Sequence, residues 1–169
     1  TALAKTDKLK LRIYAMLNGG DKALLKEYFK KGPVRIGNVL DIRSVKLMAD
    51  GALGSRGAAL LADYEDKENH RGNTILTEEN IYNVSVDALN AGYQVATHAI
   101  GDRTNRVVLD AYARAFKKTN ATDHRFRIEH AQIIHRDDIP RFAKMKVIAS
   151  MQGIHCTSDM AWVPTRIGK

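Results

Sequence analysis

Two histidines of this sequence each close a short apolar segment. His98 ends the segment Tyr93–His98, and His130 ends the segment Phe126–His130; they lie 32 residues apart, about one strand-helix unit. Side chains at the carboxyl ends of neighbouring parallel strands meet on one face. Two neutral imidazoles placed there are good ligands for a divalent metal such as zinc. The pair therefore predicts a metal site, while for either histidine alone a hydrogen-bonded core residue is the alternative.

A lysine interrupts another apolar segment. Lys46 lies within Ser44–Gly51, between Val45 and Leu47. A buried lysine is unfavourable unless it is paired or chemically altered. Two interpretations stay open: a lysine whose ammonium reaches solvent, or a lysine carboxylated by carbon dioxide, whose carbamate can bridge two metal ions. Asp50, four residues later, is a candidate ligand, hydrogen-bond partner or turn former.

Hydrophobic periodicity predicts strands that alternate with helices along the chain. The predicted strands are Leu11–Leu17, Val45–Met48, Gln94–His98, Phe126–His130 and Val147–Met151. The predicted helices are Lys22–Lys31, Glu78–Ala91 with Thr77 as N-cap, Asn105–Lys117 and Asp138–Lys144. This repetition indicates a parallel α/β protein. The small number of strands favours an open doubly wound sheet, whereas the polar residues at the strand ends favour a (β/α)8 barrel.

Residues 50–74 form the one long connection without helical periodicity. Its glycines lack the spacing of a phosphate-binding loop. A connection of this length inside a compact domain is usually functional or disordered. We expect His70, His124 and His135 in loops or at helix starts, and Cys156 as an unreactive thiol.

Four blocks of the sequence together resemble one known family. They are Val45–Gly57, Thr97–Arg103, Arg127–Gln132 and Ser150–Asp159. In this order and spacing they closely resemble blocks of amidohydrolase family 3. This branch of the metal-dependent amidohydrolase superfamily contains N-substituted formamide deformylase-like proteins and those labelled exoenzyme regulatory proteins.

The resemblance implies an α/β fold that is part of a TIM (β/α)8 barrel, with roughly its third to seventh strands. It implies that His98 and His130 are metal ligands after the fifth and sixth strands. Lys46 would lie on the fourth strand as a carboxylated or otherwise bridging ligand. The residues expected to line the substrate are Asp50, Arg56, Asp102 and His155. No catalytic residue is assigned, and Gly153 and Cys156 depart from the proline and alanine of the family pattern.

Other features of the superfamily are not found in this sequence. None of the six histidines forms a His-x-His pair, and the aspartate of an eighth strand has no counterpart. We therefore expect residues 1–169 to be an incomplete segment of the barrel domain, inactive by itself and weak in metal affinity. The parent protein is expected to hydrolyse amide-like C–N bonds of a small molecule through metal-activated water. The alternative is a catalytically silent binding or regulatory module on the same scaffold.

Composition and charge exclude other function classes. The 169 residues include 27 Lys+Arg and 19 Asp+Glu, a formal net charge of +8, but the basic residues are spread along the chain without a clustered stripe, so nucleic-acid binding is not predicted. No apolar run is long enough for a membrane helix, and the single cysteine forms no disulfide framework. We expect a cytoplasmic protein, and, because a partial barrel exposes strand edges, a homo-oligomer.

Overall fold

The computed structural model describes residues 1–6 and 8–168. Its strands are β1 (Ile13–Asn18), β2 (Val34–Ile36), β3 (Leu40–Met48), β4 (Gln94–Ala99), β5 (Arg127–His130) and β6 (Ile148–Ser150). Its helices are α1 (Ala2–Lys5), α2 (Lys22–Lys31), α3 (Glu78–Asn90), α4 (Asp102–Thr119), α5 (Ile139–Met145), α6 (His155–Ser158) and α7 (Pro164–Ile167), with a 3-10 turn at Arg136–Asp138.

The strands form one sheet in the order β1-β3-β4-β5-β6, in which all neighbours are parallel. The short strand β2 pairs antiparallel with the first part of β3. Helices connect the parallel strands, so the predicted α/β class is confirmed. The sequence did not predict β2, because three residues are too few to show a period of two.

Helix boundaries follow local capping chemistry. Helix α2 has the predicted bounds, since Asp21 caps its first turn by accepting a hydrogen bond from the Leu24 amide at 3.0 Å. Thr77 is the N-cap of α3, as predicted, and forms a reciprocal capping box with Asn80. Helix α4 begins at Asp102, three residues before the predicted start, because its polar first turn carries no apolar periodicity.

One face of the sheet packs against the helices and forms the main core. Val45, Leu47, Val95 and Ile128 on the strands are at most 4% exposed. The polar side chain of Thr97 also points to the helices, and its hydroxyl lies 2.7 Å from that of Tyr112 on α4. Burial raises the pKa of the Tyr112 hydroxyl strongly, so it stays protonated and can donate.

The opposite face of the sheet, here called the bare face, is not covered by any described helix. It carries Tyr14 and Met16 of β1, each 40% exposed, and Ile148 of β6, 46% exposed. Arg127 lies among them, with its guanidinium 5.8 Å from the centre of the Tyr14 ring and 2.9 Å from Glu129. The bare face is therefore a mixed apolar and polar surface.

No helix in the described part of the chain is long and apolar enough to cross a membrane.

Candidate active site

The rings of His98 and His130 lie together at the carboxyl end of the sheet. Their centroids are 4.6 Å apart in an edge-to-face arrangement. The strand register pairs His98 with Glu129 and Ala99 with His130. Since side chains alternate between faces along a strand, regular geometry would place Glu129, not His130, on the side of His98.

A departure from regular strand geometry brings His130 to His98. His130 has a φ of +73° and Ala131 a φ of +44°, both in the left-handed region. Non-glycine residues in this region are strained by roughly 1–3 kcal/mol each, and such strain clusters at functional sites. Because the backbone turns here, the ring of His130 meets His98 in spite of its register. The two rings therefore lie together, as the sequence predicts. They do so because of the left-handed backbone at His130, which the alternation of side chains along a strand does not predict.

Asp50 is the most constrained carboxylate of this region. It is fully buried, and its oxygens accept hydrogen bonds from the backbone amides of Ala59 (3.1 Å), Ile100 (3.0 Å) and Gly101 (2.9 Å). Of the three roles left open by the sequence, hydrogen-bond partner is the one that these contacts show. Asp50 ties the loop after β3 to the loop after β4, directly beneath His98.

His98 keeps a buried nitrogen without a hydrogen bond. Its Nε2 lies 3.3 Å from Oδ1 of Asp50, which is ion-pair distance, but the geometry is not that of a hydrogen bond. An unsatisfied buried polar atom in a native protein calls for a functional explanation. Here the atom belongs to the ring that the sequence already singled out as a ligand.

His130 is held by a different partner. Its Nδ1 lies 2.5 Å from Oε1 of Gln152, which follows strand β6, and its ring stacks near His155 with centroids 6.0 Å apart. The pKa of His130 is lowered, mainly by burial and further by the nearby His98, Lys46 and His155, while the hydrogen bond to Gln152 opposes the shift. The sequence did not single out Gln152, although the rule that polar residues follow parallel strands applies to it as well.

Lys46 lies on β3, in register with Ala96, which is two residues before His98 on β4. The side chain is half-buried, and burial lowers its pKa, Glu129 opposes the shift, and Arg127 adds to it. Lys46 therefore shares the bare face with Glu129 and lies within electrostatic range of His130.

Asn105 is a second residue that the sequence did not single out. It is fully buried on α4, and its amide nitrogen donates to the carbonyls of Gly101 (2.9 Å) and Ile133 (3.1 Å). These carbonyls belong to the loops after β4 and β5. Asn105 thus links the two loops that follow His98 and His130.

The long connection 50–74 is ordered and has its own small core. Leu53, Ala58, Leu60 and Tyr64 cluster with Ile100, and the Tyr64 hydroxyl donates to the Ala58 carbonyl at 2.8 Å. The connection crosses the start of α4 so closely that a Cβ at Gly101 would lie 2.0 Å from the Ala59 carbonyl oxygen. Of the two alternatives for this segment, disorder is therefore wrong.

Arg56 and Asp102 take part in holding this loop. The Arg56 guanidinium pairs with both carboxylate oxygens of Asp66, at 2.9 and 2.7 Å. Asp102 accepts a hydrogen bond from the Leu61 amide at 2.9 Å. No described contact joins Arg56 or Asp102 to the two rings, so their expected role at the substrate stays a prediction, as does that of His155. Asp50 lies beneath the site instead of on an open surface.

The residue types at the site are those that bind divalent metals, but there are fewer of them than a metal site normally has. The described residues contain no group of three or more His, Cys, Asp or Glu side chains that could hold a metal ion. They supply two imidazoles, one of them with an orphaned buried nitrogen, and a lysine on the same side of the sheet. Zinc sites normally have at least three protein ligands.

A parallel sheet with connecting helices and with imidazoles at the carboxyl strand ends is consistent with part of a TIM barrel that carries a strand-end site. Comparison with solved structures agrees. The chain superposes with a TM-score of 0.85 and 33% identity on a metal-dependent hydrolase from Pyrococcus furiosus, over 99% of this chain and 34% of that one. The predicted partial barrel is confirmed.

Sequence comparisons identify the family. A family model described as "Amidohydrolase family" matches residues 1–169, and the chain belongs to this family. It is 36% identical to the protein LONG AFTER FAR-RED 3 of Arabidopsis thaliana over 86% of this chain. It is 34% identical to YtcJ of Bacillus subtilis, which is named as an amidohydrolase, over 79% of this chain. The chain spans 25% of the length of each of these relatives.

Proposed function

We propose that this chain is part of the barrel of a metal-dependent hydrolase that cleaves amide-like C–N bonds of a small molecule. The observation that carries the proposal is the convergence of His98 and His130 at the carboxyl rim of a parallel sheet, 4.6 Å apart. Membership of the amidohydrolase family and the likeness to a metal-dependent hydrolase support the reaction class.

In this proposal His98 and His130 hold a divalent metal such as zinc, for which imidazole is a common ligand, with Lys46 as a further ligand after carboxylation. A metal bound there would lower the pKa of bound water and polarise the scissile carbonyl. The chain's own residues prepare the site: Asp50 fixes the loops beneath His98, and Gln152 orients the ring of His130. Arg56, Asp102 and His155 are proposed to face the substrate.

Zinc titration of this chain tests the metal-binding part of the proposal. We expect weak binding by calorimetry, with a Kd that rises at least about tenfold in His98→Asn and in His130→Asn. His135→Asn is the control, because His135 is an exposed residue at the 3-10 turn. An unchanged Kd in both site variants would refute the assignment. Carboxylation of Lys46 is tested separately by the carbamate signal of the chain in 13C-bicarbonate, which Lys46→Arg should abolish.

One observation favours a second candidate function. Since only two imidazoles of the described residues converge at the site, a catalytically silent binding or regulatory module on the same scaffold agrees with the site as well. Hydrolysis of amide substrates separates the two. A longer polypeptide that contains this segment should turn over a simple amide if the enzyme proposal is right, and should bind without turnover if the module proposal is right.

Self-association is our proposal for the chain as it stands. The bare face exposes Tyr14, Met16 and Ile148 beside unpaired strand edges, and such surfaces promote pairing between copies. Light scattering should therefore give a mass above that of one chain, and a single monomeric species would contradict the proposal.

A further inference from the structure

A cavity of about 340 Å³ lies beside His130. It lies between the end of β5, the end of β6 and the segment around α6. Its polar lining residues are His130, Gln132, Gln152 and His155, and all of them except Gln132 already belong to the candidate site. A group bound in this cavity would therefore lie next to one of the two imidazoles that are proposed to hold the metal.

The rest of the cavity wall is uncharged and largely apolar. Ile133, Met151, Cys156, Met160 and Val163 form this part of the wall. None of the described residues that line the cavity is Lys, Arg, Asp or Glu. A charged group placed here would find no Lys, Arg, Asp or Glu in the wall to pair with, and it would lose hydration wherever it contacts the apolar side chains, which is unfavourable. An alkyl or aryl group would lose only contact with water, which is favourable.

The wall is fixed in place by the core of the long loop. Ile133 and Val163 pack against the cluster of Leu53, Ala58, Leu60, Tyr64 and Ile100. Gln132 donates to Asp159 at 2.9 Å, which ties the end of β5 to the segment that follows α6. The cavity is thus built by three separate parts of the chain that hold one another.

We propose that this cavity binds an uncharged, apolar substituent of the substrate, so that the substrate class is amides with an alkyl or aryl group instead of amides with a charged one. The inference rests on the proposed function for the identity of the reacting bond. The binding preference itself is independent of metal and of turnover. This independence allows a test on the 169-residue chain alone.

The test compares two amides that differ at one end. N-butylacetamide ends in a methyl group, and 4-acetamidobutanoate ends in a carboxylate at the same position. Binding is followed by NMR of 13C-methyl methionine, because Met151 and Met160 line the cavity while Met16 lies on the bare face. We expect the Met151 and Met160 signals to shift with N-butylacetamide, with a Kd at least about tenfold lower than for the anion. Shortening the alkyl chain should raise the Kd by roughly fourfold per methylene.

A matched pair of variants locates the binding. Cys156→Trp should fill the cavity and abolish the shifts, since Cys156 is exposed on α6 and lines the cavity. Thr157→Trp, the next residue on the same short helix, is outside the lining and should leave the Kd unchanged. Equal affinity for the two amides, shifts that survive Cys156→Trp, or shifts confined to Met16 would each overturn the inference.

Failure of this inference and failure of the proposed function are distinguishable. Suppose that N-butylacetamide binds preferentially but the Kd for zinc is unchanged in His98→Asn and in His130→Asn. The inference about the cavity would then stand, and the hydrolase proposal would be refuted. Zinc binding at the two histidines without any preference between the amides would do the reverse.

Discussion

The histidines at the two ends of strand β5 differ in how many of their ring nitrogens are hydrogen-bonded. His124, before the strand, has both ring nitrogens occupied: Nδ1 accepts from the Phe126 amide at 3.1 Å, and Nε2 lies 3.0 Å from the Met145 carbonyl. Its ring stacks on Phe116 with centroids 3.6 Å apart. His130, at the carboxyl end, makes a described hydrogen bond only through Nδ1 and has a strained backbone. A histidine with both nitrogens satisfied in a core is structural, whereas one with a spare nitrogen at a strand rim is available to a ligand.

This contrast bears on the two interpretations that the sequence left open for His98 and His130, a metal ligand or a hydrogen-bonded core residue. His124 is the hydrogen-bonded core residue, although the sequence placed it only in a loop. At His98 the buried Nε2 remains without a hydrogen bond. The distribution of hydrogen bonds, which the sequence does not contain, separates the two classes.

The largest expected effect at the carboxyl end comes from Asp50→Ala. This change removes the acceptor of three buried amides, and each unsatisfied buried group is unfavourable by about 1–3 kcal/mol. We expect the free energy of unfolding in urea to fall by about 3 kcal/mol or more. Asp41→Ala is the control, because Asp41 pairs with the exposed Arg43. The urea midpoint of this variant should barely differ from that of the wild type. A small effect of Asp50→Ala would show that the loops hold without this carboxylate.

The same substitution at the two ends of β5 tests the contrast directly. His124→Asn should lower the free energy of unfolding by about 2 kcal/mol, since it removes a stacked ring and a hydrogen bond to Met145. His130→Asn should change it by less than about 0.5 kcal/mol, because asparagine tolerates a positive φ well. Urea denaturation at pH 7.5 measures both. Equal losses at the two positions would remove the distinction between a structural and an available histidine.

Much of the fold and the outline of the site could be predicted from residues alone. Helix α2 and the cap of α3 follow from local signals, and the strand ends pointed to His98 and His130. The sequence did not predict Gln152, Asn105 or the buried position of Asp50, since their roles depend on which loops meet in space. The sequence also did not predict the left-handed backbone at His130, because histidine, although enriched in that region, adopts it in only a minority of cases.

His124 should contribute to the pH dependence of stability, beside His130, whose pKa is also lowered. The pKa of His124 is lowered, first by burial, with the hydrogen bond to Met145 and the charge of Asp123 opposing the shift and Lys146 adding to it. A histidine with a lowered pKa binds protons less readily in the folded state than in the unfolded one. Stability is therefore full above about pH 6.5 and falls as the pH decreases from there towards the folded pKa, by at most about 1.4 kcal/mol per pH unit.

Unfolding in urea at pH 7.5 and at pH 5.5 measures this loss. Protonation of Nδ1 would break the hydrogen bond from the Phe126 amide, so the wild type should lose stability between these values. His124→Gln should lose less, because glutamine does not titrate. An identical loss in the variant would assign the acid sensitivity to other groups.

The smallest expected effect concerns Lys146, which follows α5 near His124. Lys146 is exposed and has a φ of +56° in the left-handed C-cap position, where glycine is preferred. Lys146→Gly should therefore raise the free energy of unfolding by about 0.5–1 kcal/mol, while Lys144→Gly, two residues earlier within α5, should lower it by about 1 kcal/mol. Lys146→Gly also removes a positive charge that lowers the pKa of His124. The loss of stability between pH 7.5 and pH 5.5 should therefore be smaller in this variant than in the wild type. A stabilised variant with an unchanged pH profile would show that backbone strain and charge act separately at this end of the sheet.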